Sequence, residues 1–336
     1  MAESENHVVS FAKAAAMRGR TLKIGNPLIS EVNAADFSGI HVKNLGKQVG
    51  EANLLAEVTF EASPGSCFGI LGENGSGKTT LLRLIAGLAF PTAGSVTVSG
   101  KNPHTDTVAA LAIISGLIGI PAFHPHINAR DNLGLFWDGD RAADAQRVMR
   151  VLDMVGLADE AGKKVGDYSR GMLQRLGVAL VIMQDRPLVI LDEPTQGVDV
   201  VWAEKLSVIF REMAEKGKLL LITSHDFDFI TGLCGHILIL DGGRTAYQGR
   251  LKDIAEFPYY FHVRAEPREK TLEIVKQLNF VHRAARVGEA LELTLKAENT
   301  NALVAALVAA GCKVHECALR HYSVADLIAQ RRAKTV

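Results

Sequence analysis

The 336 residues suffice for two domains or for one large domain with an appendage, and an apolar content of 48% supports a sizeable core. Basic and acidic residues balance at 37 each, which removes any bulk-charge argument for nucleic acid or an anionic membrane surface. Four cysteines, Cys67, Cys234, Cys312 and Cys317, do not make a disulfide framework in a chain this long, so a reducing compartment is expected.

The chain begins polar and acidic, without the apolar core of a secretory leader. Residues 1–38 read as an N-terminal extension, with a short helix from Val8 to Arg18 and a turn at Gly25-Asn26-Pro27. From Ile40 the pattern turns β-like. Ile40 to Leu45 and Leu54 to Phe60 read as strands, and Ser63-Pro64-Gly65 as the turn that follows.

Cys67 to Leu71 is a short apolar run, read as a buried strand. It leads into Gly72-Glu73-Asn74-Gly75-Ser76-Gly77-Lys78-Thr79-Thr80, which fits G-x-x-x-x-G-K-[ST] at every fixed position. Leu81 to Ala86 reads as an amphipathic helix. Strand, Gly-rich loop and helix is the context that turns the pattern into a phosphate site, because backbone N–H groups and the helix N-terminus converge on the anion. Lys78 is expected to reach the β- and γ-phosphates, and Thr79 to hold Mg²⁺ through its hydroxyl.

Phe90 to Gly94 breaks the chain before a strand over Ser95 to Val98. The longest apolar candidate for a membrane span, Leu111 to Phe123, is short and is broken by Ser115, Gly116 and Pro121. The chain is therefore expected to be soluble, with another subunit supplying any spans. Residues from about 120 to 185 read as mostly helical. Asp140 to Val155 has helical apolar spacing, and Ser169-Arg170-Gly171-Met172 precedes a helix from Leu173 to Met183.

Leu188 to Leu191 is a continuous apolar run ending in Asp192-Glu193-Pro194, as a buried parallel strand reads. Asp192 is suited to Mg²⁺, and Glu193 to polarising a water that attacks the γ-phosphate; an N-cap ahead of Pro194 explains either acid alone but poorly explains both. A helix from about Val201 to Lys216 follows, then a strand from Leu219 to Thr223 ending at Ser224-His225-Asp226. His225 reads either as a surface imidazole or as a hydrogen-bond donor to the γ-phosphate. Strands at Ile237 to Leu240 and around Ala246-Tyr247 close an α/β unit near Gly249.

The tail reads as β-α-β-β-α-β, the ferredoxin-like α+β arrangement. Its strands are Tyr260 to Ala265, Val281 to Arg286, Ala290 to Leu295 and Lys313 to Ala318. Its helices are Arg268 to Leu278 and Asn301 to Ala310, with a final helix over Ser323 to Arg331. Cys312, His315 and Cys317 read as strand residues or, less simply, as half a metal site; His124 and His126 read as loop residues or a metal pair.

Residues 40–249 resemble the ATP-binding subunits of ABC transporters. Gly72 to Thr79 resembles the Walker A motif, and Leu188 to Glu193 the Walker B motif with its general-base glutamate. Tyr168-Ser169-Arg170-Gly171-Met172-Leu173-Gln174-Arg175-Leu176 resembles the signature, Thr195-Gln196-Gly197-Val198-Asp199 the D-loop, and His225 the switch histidine. The Tyr-Ser-x-Gly-Met form and the stretch Pro121 to Ile127 look most like bacitracin-resistance and sodium-efflux exporters, whose permease is a separate chain.

The resemblance implies an α/β P-loop NTPase with a RecA-like core, an antiparallel β subdomain and a helical signature subdomain at about 120–185, within an ATPase domain over 39–250. Residues 251–336 then form the accessory domain. It implies ATP and Mg²⁺ as cofactors, and Lys78, Glu193 and His225 as catalytic residues. Gly72 to Thr80, Val49, Ser169, Gly171 and Asp199 are implied at the nucleotide, and Thr79 and Asp192 at the metal. The implied partners are a second copy, stacked so that each ATP lies between one phosphate loop and the other signature, and an integral-membrane permease gripping a groove near residues 119–137. No nucleic acid is expected, and the implied place of work is the cytoplasmic face of the cell membrane.

Two positions depart from the family. Gly119 stands where it usually has Gln or Glu, and Val49 where an aromatic often stacks on adenine. ABC-type DNA-repair clamps, the rival class, carry long coiled coils for which 120–185 is too short. Translation-associated relatives carry two ATPase units, and this chain has a single Walker A. A regulatory subunit with little hydrolysis is the third reading.

Overall fold

The computed structural model describes residues 37–136, 141–253, 259–296 and 299–320. The expected helix at Val8 to Arg18, the turn at Gly25 to Pro27 and the final helix at Ser323 to Arg331 lie outside the described residues. The chain divides into two compact units, Met1–Gln248 and Gly249–Val336.

The first unit holds two sheets. β1 (Ile40–Val49), β2 (Ala52–Ala62) and β4 (Ala93–Val98) form an antiparallel sheet in the order β2-β1-β4. The larger sheet runs β5-β6-β7-β3-β8-β9. Its members are β3 (Ser66–Leu71), β5 (Ile114–Leu117), β6 (Leu188–Asp192), β7 (Leu219–Ser224), β8 (His236–Asp241) and β9 (Arg244–Arg250). The pairs β5·β6, β6·β7, β7·β3 and β3·β8 are all parallel. Burial explains their composition: every residue of β6 and β7 is buried, so both read as unbroken Leu/Ile/Val runs.

Helices α1 (Lys78–Ile85), α2 (Thr107–Leu111), α3 (Ala129–Gly134), α4 (Arg141–Met154), α5 (Arg170–Gln184), α6 (Val200–Glu215) and α7 (Phe227–Leu233) complete the unit. Several start on a side chain that accepts the orphan N–H three residues on: Asn128 from Asp131, Ser169 from Met172, Asp199 from Trp202 and Asp226 from Phe229. α1 starts otherwise, on Gly77 in the left-handed region with φ 103°.

Three elements escape the sequence patterning. β5 is a four-residue strand containing Ser115 and Gly116, buried because β6 covers its edge. α2 and α7 span one to two turns and carry no helical period long enough to read. The stretch 120–185 holds α3, α4 and α5, but irregular chain at 121–128 precedes α3, and turns with one 3-10 turn at Val165–Asp167 separate α4 from α5.

The second unit holds β10 (Tyr259–Glu266), α8 (Arg268–Gln277), β11 (Val281–Val287), β12 (Ala290–Leu295), α9 (Thr300–Ala309) and β13 (Lys313–Arg320). Its antiparallel sheet has the order β11-β12-β10-β13. Phe261, Val263, Leu291, Leu293 and Leu295 pack with Val275, Leu303 and Leu307 of the helices in one core.

Candidate nucleotide site

The sheet order brings β6, β7 and β3 side by side, and their C-terminal ends carry the chemistry. Leu71 pairs with Ser224, and Asp192 with Thr223. This end of an open parallel sheet is where ligands bind, because the loops leaving the strands converge there.

The loop after β3 wraps a cleft of about 430 Å³. The cleft is lined by Leu54, by every residue from Glu73 to Thr80, by Gly119 to Pro121, and by Arg170, Leu173, Gln174, Asp192, Glu193 and Gln196. Gly77 must be glycine: a Cβ there would stand 2.8 Å from the Leu54 carbonyl oxygen, in a left-handed conformation. Ser76 Oγ is buried with no protein partner, a polar atom free for an anion seated in the loop. Lys78, only 7% exposed, donates from Nζ to the carbonyls of Gly72 at 2.7 Å and Glu73 at 3.2 Å. The same Nζ lies 3.6 Å from Glu193 Oε1.

Asp192 is bridged on both oxygens. Thr79 Oγ1 donates to Oδ2 at 2.8 Å, and Thr223 Oγ1 donates to Oδ1 at 2.7 Å. The Glu193 N–H in turn donates to Thr223 Oγ1 at 3.0 Å. Glu193 sits at φ 49°, a conformation that costs a non-glycine residue ~1–3 kcal/mol and that recurs at functional sites. His225 Nδ1 is 2.8 Å from Glu193 Oε2, and the His225 N–H donates to that oxygen at 3.3 Å. Gln174 Nε2 holds the Glu193 carbonyl at 3.0 Å.

Hydroxyl and carboxylate at Thr79 and Asp192 are the oxygen donors Mg²⁺ takes when nucleotide phosphates complete its shell. Among the described residues no group of three or more His, Cys, Asp or Glu is placed to hold a metal ion.

Other predicted residues stand outside the cleft lining. Val49 is 56% exposed at the end of β1, and Leu54 of β2 supplies the apolar wall instead. Ser169 caps α5, Gly171 lies in the first turn of that helix, and Asp199 caps α6. Gly119 does line the cleft, at φ 77° with open space where a side chain would be. Leu54 and Thr223 read in the sequence only as strand residues, and Arg170, Leu173, Gln174 and Gln196 only as parts of the signature and D-loop stretches, yet the first and the last four line the cleft and Thr223 bonds Asp192. For Thr223 the available signal is its position at the end of a buried strand beside Asp192.

A Gly-rich loop on a helix N-terminus, with an Asp and a Glu at the C-terminal end of β6, one strand removed from β3, defines a P-loop protein that binds nucleoside triphosphate. Residues 55–196 match the ABC transporter family. The chain is 32% identical to the Bacillus subtilis ABC transporter ATP-binding protein YdbJ, over 69% of this chain and 76% of that one. It is 31% identical to the bacitracin transport ATP-binding protein BcrA of Enterococcus faecalis, over 64% of this chain and 70% of the relative. A solved ATP-binding subunit of an ABC transporter superposes with a TM-score of 0.60 at 25% identity, covering 65% of this chain and 92% of that one. The chain belongs to the ATP-binding subunits of the ABC transporter family. No helix among its described residues is long and apolar enough to cross a membrane.

Proposed function

We propose that this chain is the ATP-hydrolysing motor of an exporter, working as a homodimer on the cytoplasmic face of the membrane beside a separate permease. The observation that carries this reading is Glu193, held between Lys78 at 3.6 Å and His225 at 2.8 Å, next to the doubly bonded Asp192. Glu193 is the general base that takes a proton from the attacking water, and His225 orients its carboxylate. Lys78 neutralises charge on the β- and γ-phosphates, and the loop N–H groups hold them in line. Thr79 and Asp192 are the residues that would hold Mg²⁺, which supplies further charge neutralisation when bound.

Ser169 and the Gly171 N–H, at the start of α5, face the γ-phosphate of the partner's nucleotide, and Asp199 fixes the adjoining loop. Export rather than import rests on kinship with the Nod factor export ATP-binding protein I of Rhizobium etli, 32% identical over 67% of this chain and 71% of that one. Domain limits of 39–250 and 251–336 accord with the division after Gln248. The tail is ferredoxin-like, a reading supported by its β-α-β-β-α-β order and its β11-β12-β10-β13 sheet.

Phosphate release by the purified chain in Mg-ATP tests the motor reading; Lys78→Ala should abolish it. A second reading, a nucleotide-gated regulatory subunit with little turnover, is favoured by Gly119, which offers the cleft no side chain, and by Val49 in place of an aromatic. ATP binding and pairing without phosphate release would select it and sink the first.

A further inference from the structure

Helix α5 is fastened to the segment between Glu193 and Trp202 by side chains from its first two turns. Arg170 Nη2 donates to Gln196 Oε1 at 2.6 Å. Gln174 holds the Glu193 carbonyl. The Arg175 guanidinium stacks 4.6 Å above the Trp202 ring, while its Nη1 donates to the carbonyls of Val155 and Gly156 at 3.1 Å each. The backbones also approach closely, since a Cβ on Gly171 would meet the Gly197 carbonyl oxygen at 2.6 Å. Arg170 and Gln196 differ from the other members of this seam: both are exposed, and both line the nucleotide cleft.

We propose that Arg170 and Gln196 are positioning residues that join the two nucleotide sites of the dimer. This rests on the ATP-sandwich reading above, in which Glu193 serves a chain's own nucleotide and Ser169 serves its partner's. Ser169 adjoins Arg170. The Gln196 N–H donates to the Glu193 carbonyl at 3.0 Å, closing a turn directly after the base. One side-chain hydrogen bond and one tight turn therefore connect the acid at one site to the serine presented to the other. Movement of Ser169 on engaging a partner's γ-phosphate pulls on the turn that holds Glu193. Gln174 and Arg175 keep the helix seated whether or not this bond is made, so the bond transmits position without being needed for the fold.

The test is steady-state phosphate release by the full chain across a range of Mg-ATP, for wild type, Arg170→Ala, Gln196→Ala, the double variant and Gln196→Glu. Each alanine variant should lose about three- to ten-fold in kcat, the scale of one hydrogen bond, with KM within about two-fold of wild type. The Hill coefficient should fall toward one, and the double variant should be no worse than either single. Gln196→Glu should recover kcat and cooperativity, because its carboxylate pairs with the Arg170 guanidinium. Additive losses, an unchanged Hill coefficient, or a Gln196→Glu variant as impaired as Gln196→Ala would each overturn the proposal. A wild type without turnover is a different result, seen before any variant is compared; it sinks the motor reading and takes this one with it.

Discussion

His225 grips Glu193 twice: its Nδ1 lies 2.8 Å from Oε2, and its backbone N–H donates to the same oxygen at 3.3 Å. The opposite oxygen, Oε1, faces Lys78. A carboxylate clamped on both sides in the lining of the cleft is oriented before any water reaches it, which is what a general base requires.

Glu193→Gln keeps the shape of the side chain and removes its capacity to take a proton. Turnover should fall by about 10²–10⁴-fold, the range for a lost general base, while Mg-ATP still binds. Phosphate release and light scattering together check this, with a persistent ATP-bound dimer as the second expected result. Undiminished turnover refutes the assignment.

Thr223→Val removes the hydroxyl that donates to Asp192 and accepts from the Glu193 N–H, at a position that is fully buried. The Asp192 oxygen is left short of a donor, so unfolding free energy in urea should drop by about 1–3 kcal/mol. Thr79→Val should cost less stability, because Thr79 is only half-buried, yet weaken Mg-ATP binding more. Equal effects of the two variants on both measurements contradict the separate roles given to these hydroxyls.

Gly156 lies at φ 64° directly under the Trp202 ring, where a Cβ would overlap the aromatic carbons. Gly156→Ala should destabilise the chain strongly. Placed in a Trp202→Ala background it should cost only the backbone penalty, about 1 kcal/mol. A double-mutant cycle in urea measures the difference; simple additivity contradicts the contact.

Burial pushes the Cys67 thiol up to about 12, with the Arg211 charge opposing it in part. Burial first, then the neighbouring Cys67, drives Cys234 well above the usual thiol range. Between the ordinary value of 9.0 and about 12 the unfolded chain releases a proton that folded Cys67 retains, so stability is full below that window and falls as pH rises through it. Urea unfolding at rising alkaline pH should show this slope, and Cys67→Ala should make it shallower, with Cys234 supplying part of what remains. At pH 8 a thiol reagent should leave both residues unmodified until the chain unfolds; rapid native labelling of either rules the picture out.

The phosphate loop, the Asp192-Glu193 pair and the strands that carry them are legible in the sequence because each depends on local order. A Gly-rich turn between an apolar strand and a helix is a contiguous code, and burial on both faces forces β6 and β7 into unbroken apolar runs. The tail's alternation of strands and helices is readable for the same reason. Four-residue β5 and the short α2 and α7 carry too few residues for any period, and β5 is a strand because β6 pairs along it.

Only the tertiary structure decided which residues meet. Thr223 reaches Asp192 because β7 pairs with β6 in register, and Leu54 reaches the cleft because β2 passes over Gly77. Arg170 finds Gln196 across 26 residues of chain. Such pairings follow from strand order and helix packing, which sum many weak contacts over the whole unit, and no local pattern of side chains encodes that sum.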